Sequence, residues 1–408
     1  MTDPSLPAAE VVAAVAAQRE ELVGLCAALV AAPSVNPVGD TREVADVVTR
    51  ALADRALESH QALCEPTMPS VVAEIDSGSP GPHLVLNVHL DTMPPGDESL
   101  WTQPVWELTR TRGRIYGLGM GNMKGAVAAM ITAAGLLSER RGDWSGRITF
   151  MGVSDEVVFG DNGAAFLLRQ HPDLLGDGLI CGEGPGFRRL AIGEKGVLWL
   201  ELTATGTGGH SSAVRPGESA AARLADAVSR VDALTGALGV LPSELAGLTA
   251  ARGEGPDPGL VLTANVGTVS AGSFIGQIAT SGSAGVDLRL PPGITTDDAM
   301  QLVQHAVAGV PHLAVRRLKG WDANWTPPQS ALTQAWDEAS AVVTGARATY
   351  AIRLPASDAS RWRSRGIPAV CYGPQPTLSA GIDDYAEEQD VVDCAKVYAL
   401  AALRYLTG

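Results

Sequence analysis

The sequence predicts an α/β fold carrying an inserted α+β segment, and three observations lead there. Short apolar runs alternate with helical stretches over the first half of the chain. From Val197 the texture changes to half-exposed, alternating strands followed by separate helices, and from Leu332 the helix–strand pattern returns. Strands alternating with helices imply a sheet with crossover helices, whereas strands and helices in blocks imply a distinct α+β unit.

The elements follow in order. Residues 10–32 read as an Ala-rich helix ended by Pro33; Gln18, Arg19, Glu20 and Glu21 interrupt its apolar run and argue against a membrane span. Val71–Ile75 and Leu84–His89 read as strands, the second (LVLNVH) apolar on both faces as a buried strand is. Gly117–Gly125 is a glycine-rich loop feeding a helix over Ala126–Glu139. Strands follow at Arg147–Val153 and Leu179–Cys181. The inserted segment, 193–312, holds strands at Val197–Thr205, Val261–Val269 and Gly285–Leu290, with helices at Glu218–Leu234 and Gln301–Val307. Residues 1–192 and 313–408 then form one discontinuous domain, closed by a helix over Val391–Leu406. A length of 408 residues suits two such domains.

Composition narrows the function. The net charge is -15 and only four lysines occur, at 124, 195, 319 and 396. A chain this acidic, with no basic stripe, is a poor ligand for nucleic acid or anionic membranes. Cys26, Cys64, Cys181, Cys371 and Cys394 form no CxxC pair and read as reduced thiols in a cytoplasmic protein. The start, MTDPSLPAAE, lacks the basic and apolar regions of a signal peptide.

In α/β sheets ligands bind beyond the carboxyl ends of the strands. Polar clusters fall at or near such ends: His89-Leu90-Asp91, Asn122-Met123-Lys124, Asp155-Glu156 and Glu183. These motifs, with Pro33-Ser34-Val35-Asn36-Pro37, Trp101, Gly117–Gly125, Gly209-His210-Ser211-Ser212, Val286-Asp287-Leu288-Arg289, Ser357-Asp358-Ala359 and Gly366–Val370, resemble one family in order and spacing along nearly the whole chain. It is the zinc-dependent aminoacylase, acetylornithine deacetylase, succinyl-diaminopimelate desuccinylase and carboxypeptidase G family of metallopeptidases. The resemblance implies a mixed-sheet, zinc-aminopeptidase-like catalytic domain with an inserted α+β lid that mediates a homodimer. It also implies a two-zinc site. One ion would be held by the His of an H-x-D motif, a bridging Asp and an acidic residue after a G-E strand. The other would be held by the same Asp, the second Glu of a D-E-E run and a C-terminal His.

This sequence departs from that plan. His89 and Glu183 are kept, but the bridging Asp is Asn122, the second Glu is Val157, and the C-terminal His falls on Ala380; no His follows His312. An amide and an alkyl group are poor zinc ligands. The expectation is no catalytic metal, or at most one weakly bound zinc on His89, Asn122 and Glu183.

What survives suggests a repurposed acid–base site. By the resemblance, Glu156 is the general base, Asp91 fixes the tautomer of His89, and His210 polarises a carbonyl from the lid. Asn122, Glu183, Lys124, Arg289 and Asp358 are the expected substrate contacts. Without zinc nothing lowers the pKa of water toward 7. Glu156 and Glu183, close together with no cation between them, would push one carboxyl toward neutrality. The chemistry expected is proton transfer on a small amino-acid-like substrate, with a non-catalytic binding protein as the rival. Leu118, where the family usually has Arg, and Gly276 and Ala279, where it has an Asn and a Pro, point away from standard N-acyl amino acids. Cys181 and Ser154 are alternative nucleophiles, Arg353, Arg361 and Arg363 further candidate contacts, and His60, His83, His171, His305 and His312 packing or surface residues.

Overall fold

The computed structural model describes residues 5–37, 39–249, 257–375 and 381–407. Two compact units are present. The first comprises Met1–Gly193, Trp325–Ala351 and Ser357–Gly408, and the second Glu194–Asn324 with Ile352–Ala356.

The first unit is built on a mixed sheet. From one edge its order runs Ser59–Leu63, Pro69–Asp76, Arg147–Val153, His83–His89, Gly178–Cys181, Ala369–Cys371 and Arg189–Glu194. His83–His89 is parallel to both Arg147–Val153 and Gly178–Cys181, and Ala369–Cys371 is parallel to Gly178–Cys181. Four strands therefore end on the same side. Every residue of His83–His89 is buried, as a run apolar on both faces requires. Helices Gly125–Glu139 and Glu388–Thr407 pack together over the sheet. By length and composition Met120–Glu139 is apolar enough to cross a membrane, but 94% of that stretch is buried in the protein, as a core helix is.

The N-terminal helix differs from expectation. It is two helices, Ser5–Ala17 and Arg19–Ala31, broken at Gln18 where the polar residues begin. Arg19 leaves the apolar pattern to form an ion pair with Glu388 at 2.7 Å.

The second unit is a four-stranded antiparallel sheet in the order Thr263–Ala271, Ser281–Leu290, Gly196–Thr205, Leu313–Trp321. Alternation puts Leu198, Leu200 and Leu202 in a core with Leu224 and Val231 of helix Ala220–Asp232 and Val303 of helix Thr296–Ala306. Trp199 faces outward, with the Lys319 ammonium 3.7 Å from its ring centroid. The expected boundary at 312 is too early. Leu313–Trp321 pairs with Val197–Ala204 as the fourth strand, so it belongs to this unit; its charged centre, Arg316-Arg317, hides it from a search for apolar runs.

His83 shows how a buried imidazole couples the fold to pH. Its Nδ1 accepts from Arg147 at 3.1 Å, and its Nε2–H donates to Thr149 Oγ1 at 2.8 Å. Burial, and then the Arg147 charge, push it down to about 4. A depressed imidazole pKa contributes stability that is complete above the ordinary 6.5 and lost as pH falls through the folded value. The urea midpoint of the wild type should therefore fall relative to that of His83→Gln between pH 6.5 and pH 4, with the two curves parallel above pH 7.

Candidate functional site

The polar residues gather where the four strands end. His89 closes its strand, Asp155 and Glu156 follow Val153, Glu183 follows Cys181, and Gln375 follows Cys371. Asn122 arrives differently, on the irregular segment 120–124 that precedes helix Gly125–Glu139. That loop is tight. Gly119 sits at φ +85°, and a Cβ there would lie 2.5 Å from Thr92 Cγ2. Its backbone is held by Asp384, whose carboxylate accepts from the N–H groups of Gly119 and Gly121 at 2.9 and 3.2 Å.

His89 is the centre. Its Nδ1–H donates to the Asp91 carbonyl oxygen at 2.8 Å, and its Nε2–H donates to Asn122 Oδ1 at 3.2 Å. Glu183 Oε1 lies 3.6 Å and Glu156 Oε2 3.8 Å from Nε2. Burial alone would lower the imidazole pKa. The hydrogen bond to Glu183 and the charges of Glu156, Asp91 and Glu183 outweigh it and push it up to about 10. Glu156 moves well above the ordinary carboxyl range, first through burial and then through Glu183, Asp358 and Asp91, against the opposing pull of His89. Of the two apposed carboxyls, Glu156 is accordingly one that is driven toward the neutral acid.

The H-x-D motif holds His89 through the main chain of Asp91. The Asp91 carbonyl, not its carboxylate, fixes His89 Nδ1. The carboxylate is saturated by other donors: Asn36 Nδ2 at 2.9 Å, Glu156 N at 3.2 Å and Val157 N at 3.0 Å. It clamps the turn that carries Glu156. Asn36 also reaches Asp155 at 3.2 Å and so ties the two acidic segments together.

Gln375 was not visible to sequence reasoning. Its Nε2 donates to Asn122 Oδ1 at 3.2 Å, to the Gly182 carbonyl at 3.4 Å and to Glu183 Oε2 at 3.4 Å. The strand-end rule applied to the three-residue strand Ala369–Cys371 is the signal that points to it.

The other expected contacts have varied surroundings. Lys124 is buried, donates to the Ala32 carbonyl at 3.2 Å, and has its pKa lowered to about 7 by burial. A substrate-contact role does not suit it, because its stem packs beneath Gly119. Asp358 makes no side-chain cap to the helix it precedes; its Oδ1 accepts from Arg361 Nε at 3.0 Å. Arg361 also donates to the Gly160 carbonyl at 2.8 Å. In the second unit Arg289 is held bidentately by Asp287 at 2.9–3.1 Å. His210, in the same unit, is exposed and pairs through Nδ1 with Ser212 Oγ at 2.8 Å. The alternative nucleophiles fail. Cys181 is buried beside Cys371 with its thiol pushed far up by burial, and Ser154 Oγ donates to the Pro69 carbonyl at 2.7 Å. Ala380 lies outside the described residues.

Residues 85–404 match the family model described as Peptidase family M20/M25/M40. The chain belongs to this peptidase family. Among M20 relatives, a fungal protein named "Probable carboxypeptidase" (Ajellomyces dermatitidis) is 32% identical over 237 residues, 57% of this chain and 51% of its own. A succinyl-diaminopimelate desuccinylase of Coxiella burnetii is 34% identical over 139 residues, 33% of this chain and 37% of its own. The chain thus spans about half the length, or less, of these curated relatives. An M20 metallo-carboxypeptidase from Sulfolobus solfataricus superposes with TM-score 0.75 at 18% identity, covering 94% of this chain and 99% of its own, which establishes the shared mixed α/β fold.

The donors present do not fit a two-ion M20 centre. Asn122 Oδ1 already accepts two N–H groups, and Val157 offers no ligand. One ion has three candidate donors among the described residues, since ligand atoms of His89, Glu156 and Glu183 lie within 4.8 Å of one another.

Asp91→Ala would leave three N–H donors, two of them in buried hydrogen bonds, without their acceptor. It should lower stability by about 3 kcal/mol in urea unfolding, because hydrogen bonds to charged groups carry roughly 1.5–3 kcal/mol each and these are partly coupled.

Proposed function

We propose that this M20 protein is an enzyme performing metal-independent acid–base chemistry at an amide, carbonyl or amine of a small amino-acid-derived substrate. One observation carries the reading. His89 Nε2 and Gln375 Nε2 both donate to Asn122 Oδ1, which supports a hydrogen-bonded bridge where the resemblance implies a bridging carboxylate. A neutral amide oxygen accepting two N–H groups favours an imidazolium at His89 rather than a lone pair directed at a metal.

In this reading Glu156 carries the proton. Its carboxyl is raised above the ordinary range by burial, which suits it to deliver a proton to a leaving amine or take one from a substrate ammonium or carbon acid. His89 is the fixed cation whose charge stabilises negative charge developing on the substrate. Asp91 and Asn36 position Glu156 through the turn they clamp, and Gln375 positions Asn122 and Glu183. Amide hydrolysis, amide formation, cyclisation and elimination are all within reach of this set.

The three-donor cluster favours a second reading: a single zinc on His89, Glu156 and Glu183. That reading makes Glu156 a ligand and leaves no free base there.

Two measurements separate them. On a panel of N-acyl amino acids and dipeptides, turnover should persist in chelator, with well under one equivalent of zinc by elemental analysis. Glu156→Gln should then lower kcat by about 10²–10⁴-fold, the range for loss of a general acid or base. Stoichiometric zinc that leaves together with activity would select the second reading.

A further inference from the structure

Resting on the metal-independent reading above, we propose that the strand-end cluster binds the primary ammonium group of its substrate between Glu156, Glu183 and Asp358. Asp91, Asp155, Glu156, Glu183 and Asp358 are all nearly inaccessible to solvent. His89 and Arg361 are cations set against them. Buried charge of one sign is costly unless a counter-charge is brought in.

Two acceptors in this cluster are unsatisfied. The Glu156 carboxylate, 9% exposed, makes no hydrogen bond among the described residues, and one of its oxygens stands within 4.8 Å of a His89 ring nitrogen and a Glu183 carboxylate oxygen. Asp358, 2% exposed, spends Oδ1 on Arg361 and leaves Oδ2 buried without a partner, and its charge acts on Glu156 as that of His89 acts on it. Both free acceptors are carboxylate oxygens, which accept N–H donors at about 2.7–2.9 Å when the donor is charged. A primary ammonium supplies one positive charge and three N–H donors. A quaternary ammonium supplies the charge without donors, so it is the discriminating control.

The test uses the full chain in chelator. Binding of n-butylammonium and of n-butyltrimethylammonium is followed by thermal shift and calorimetry at equal ionic strength. The primary amine should raise the melting temperature in a saturable way and bind at least about tenfold tighter than the quaternary one, a gap of about 1.4 kcal/mol. Glu183→Gln and Asp358→Asn should each weaken the primary amine by at least about tenfold while barely moving the quaternary one. If either variant melts without cooperativity, the wild-type comparison decides alone. Equal responses to the two salts, or no saturable response to the primary amine up to about 100 mM, would overturn the proposal. Turnover that depends on Glu156 without amine binding overturns this site and leaves the metal-independent reading standing. Amine binding without such turnover does the reverse.

Discussion

The burial of several carboxylates around one imidazole is the constraint on which the rest of this site depends. His89 sits between Glu156 and Glu183 with Asn122 as its neutral acceptor, and the Asp91 and Asp358 charges press on the same space. Such a cluster persists only because the surrounding backbone supplies donors. Asp91 takes two main-chain N–H groups and Asn36, Asp155 takes Asn36 and Asn162, and Asp384 takes two more beneath the glycine loop. These interactions spread the cost over strand ends and turns that the sheet holds rigid.

The same scaffold explains how a family built around metal chemistry accommodates the residues found here. A carboxylate at position 122 would need a cation; an amide there needs donors, and His89 and Gln375 provide them. The strand order and the fold are those shared with an M20 metallo-carboxypeptidase. Function is thus decided by a handful of side chains at strand ends, while the sheet that presents them is common to the family.

Much of this was legible in the chain alone. Strands such as Leu84–His89 and Arg147–Val153 announce themselves by continuous apolar runs, and His89, Glu156 and Glu183 by standing at their carboxyl ends. The fourth strand of the second unit was not legible, because Arg316, Arg317 and Lys319 interrupt an edge strand whose partner lies over a hundred residues earlier. Gln375 escaped notice because its strand is three residues long and glutamine is not a metal-ligand type. Lys124 and Arg289 looked available as polar residues in motifs; only packing reveals that the Ala32 carbonyl and Asp287 already occupy them.

The sequence by itself determined the α/β class and the inserted unit, because periodicity is a local property, and its motifs pointed to the family. Tertiary structure alone decided which atom of Asp91 holds His89, that Gln375 and His89 converge on one amide oxygen, and that Glu156 is a carboxyl driven toward neutrality. Those outcomes depend on burial and on distances between residues far apart in the chain, and no local pattern encodes either.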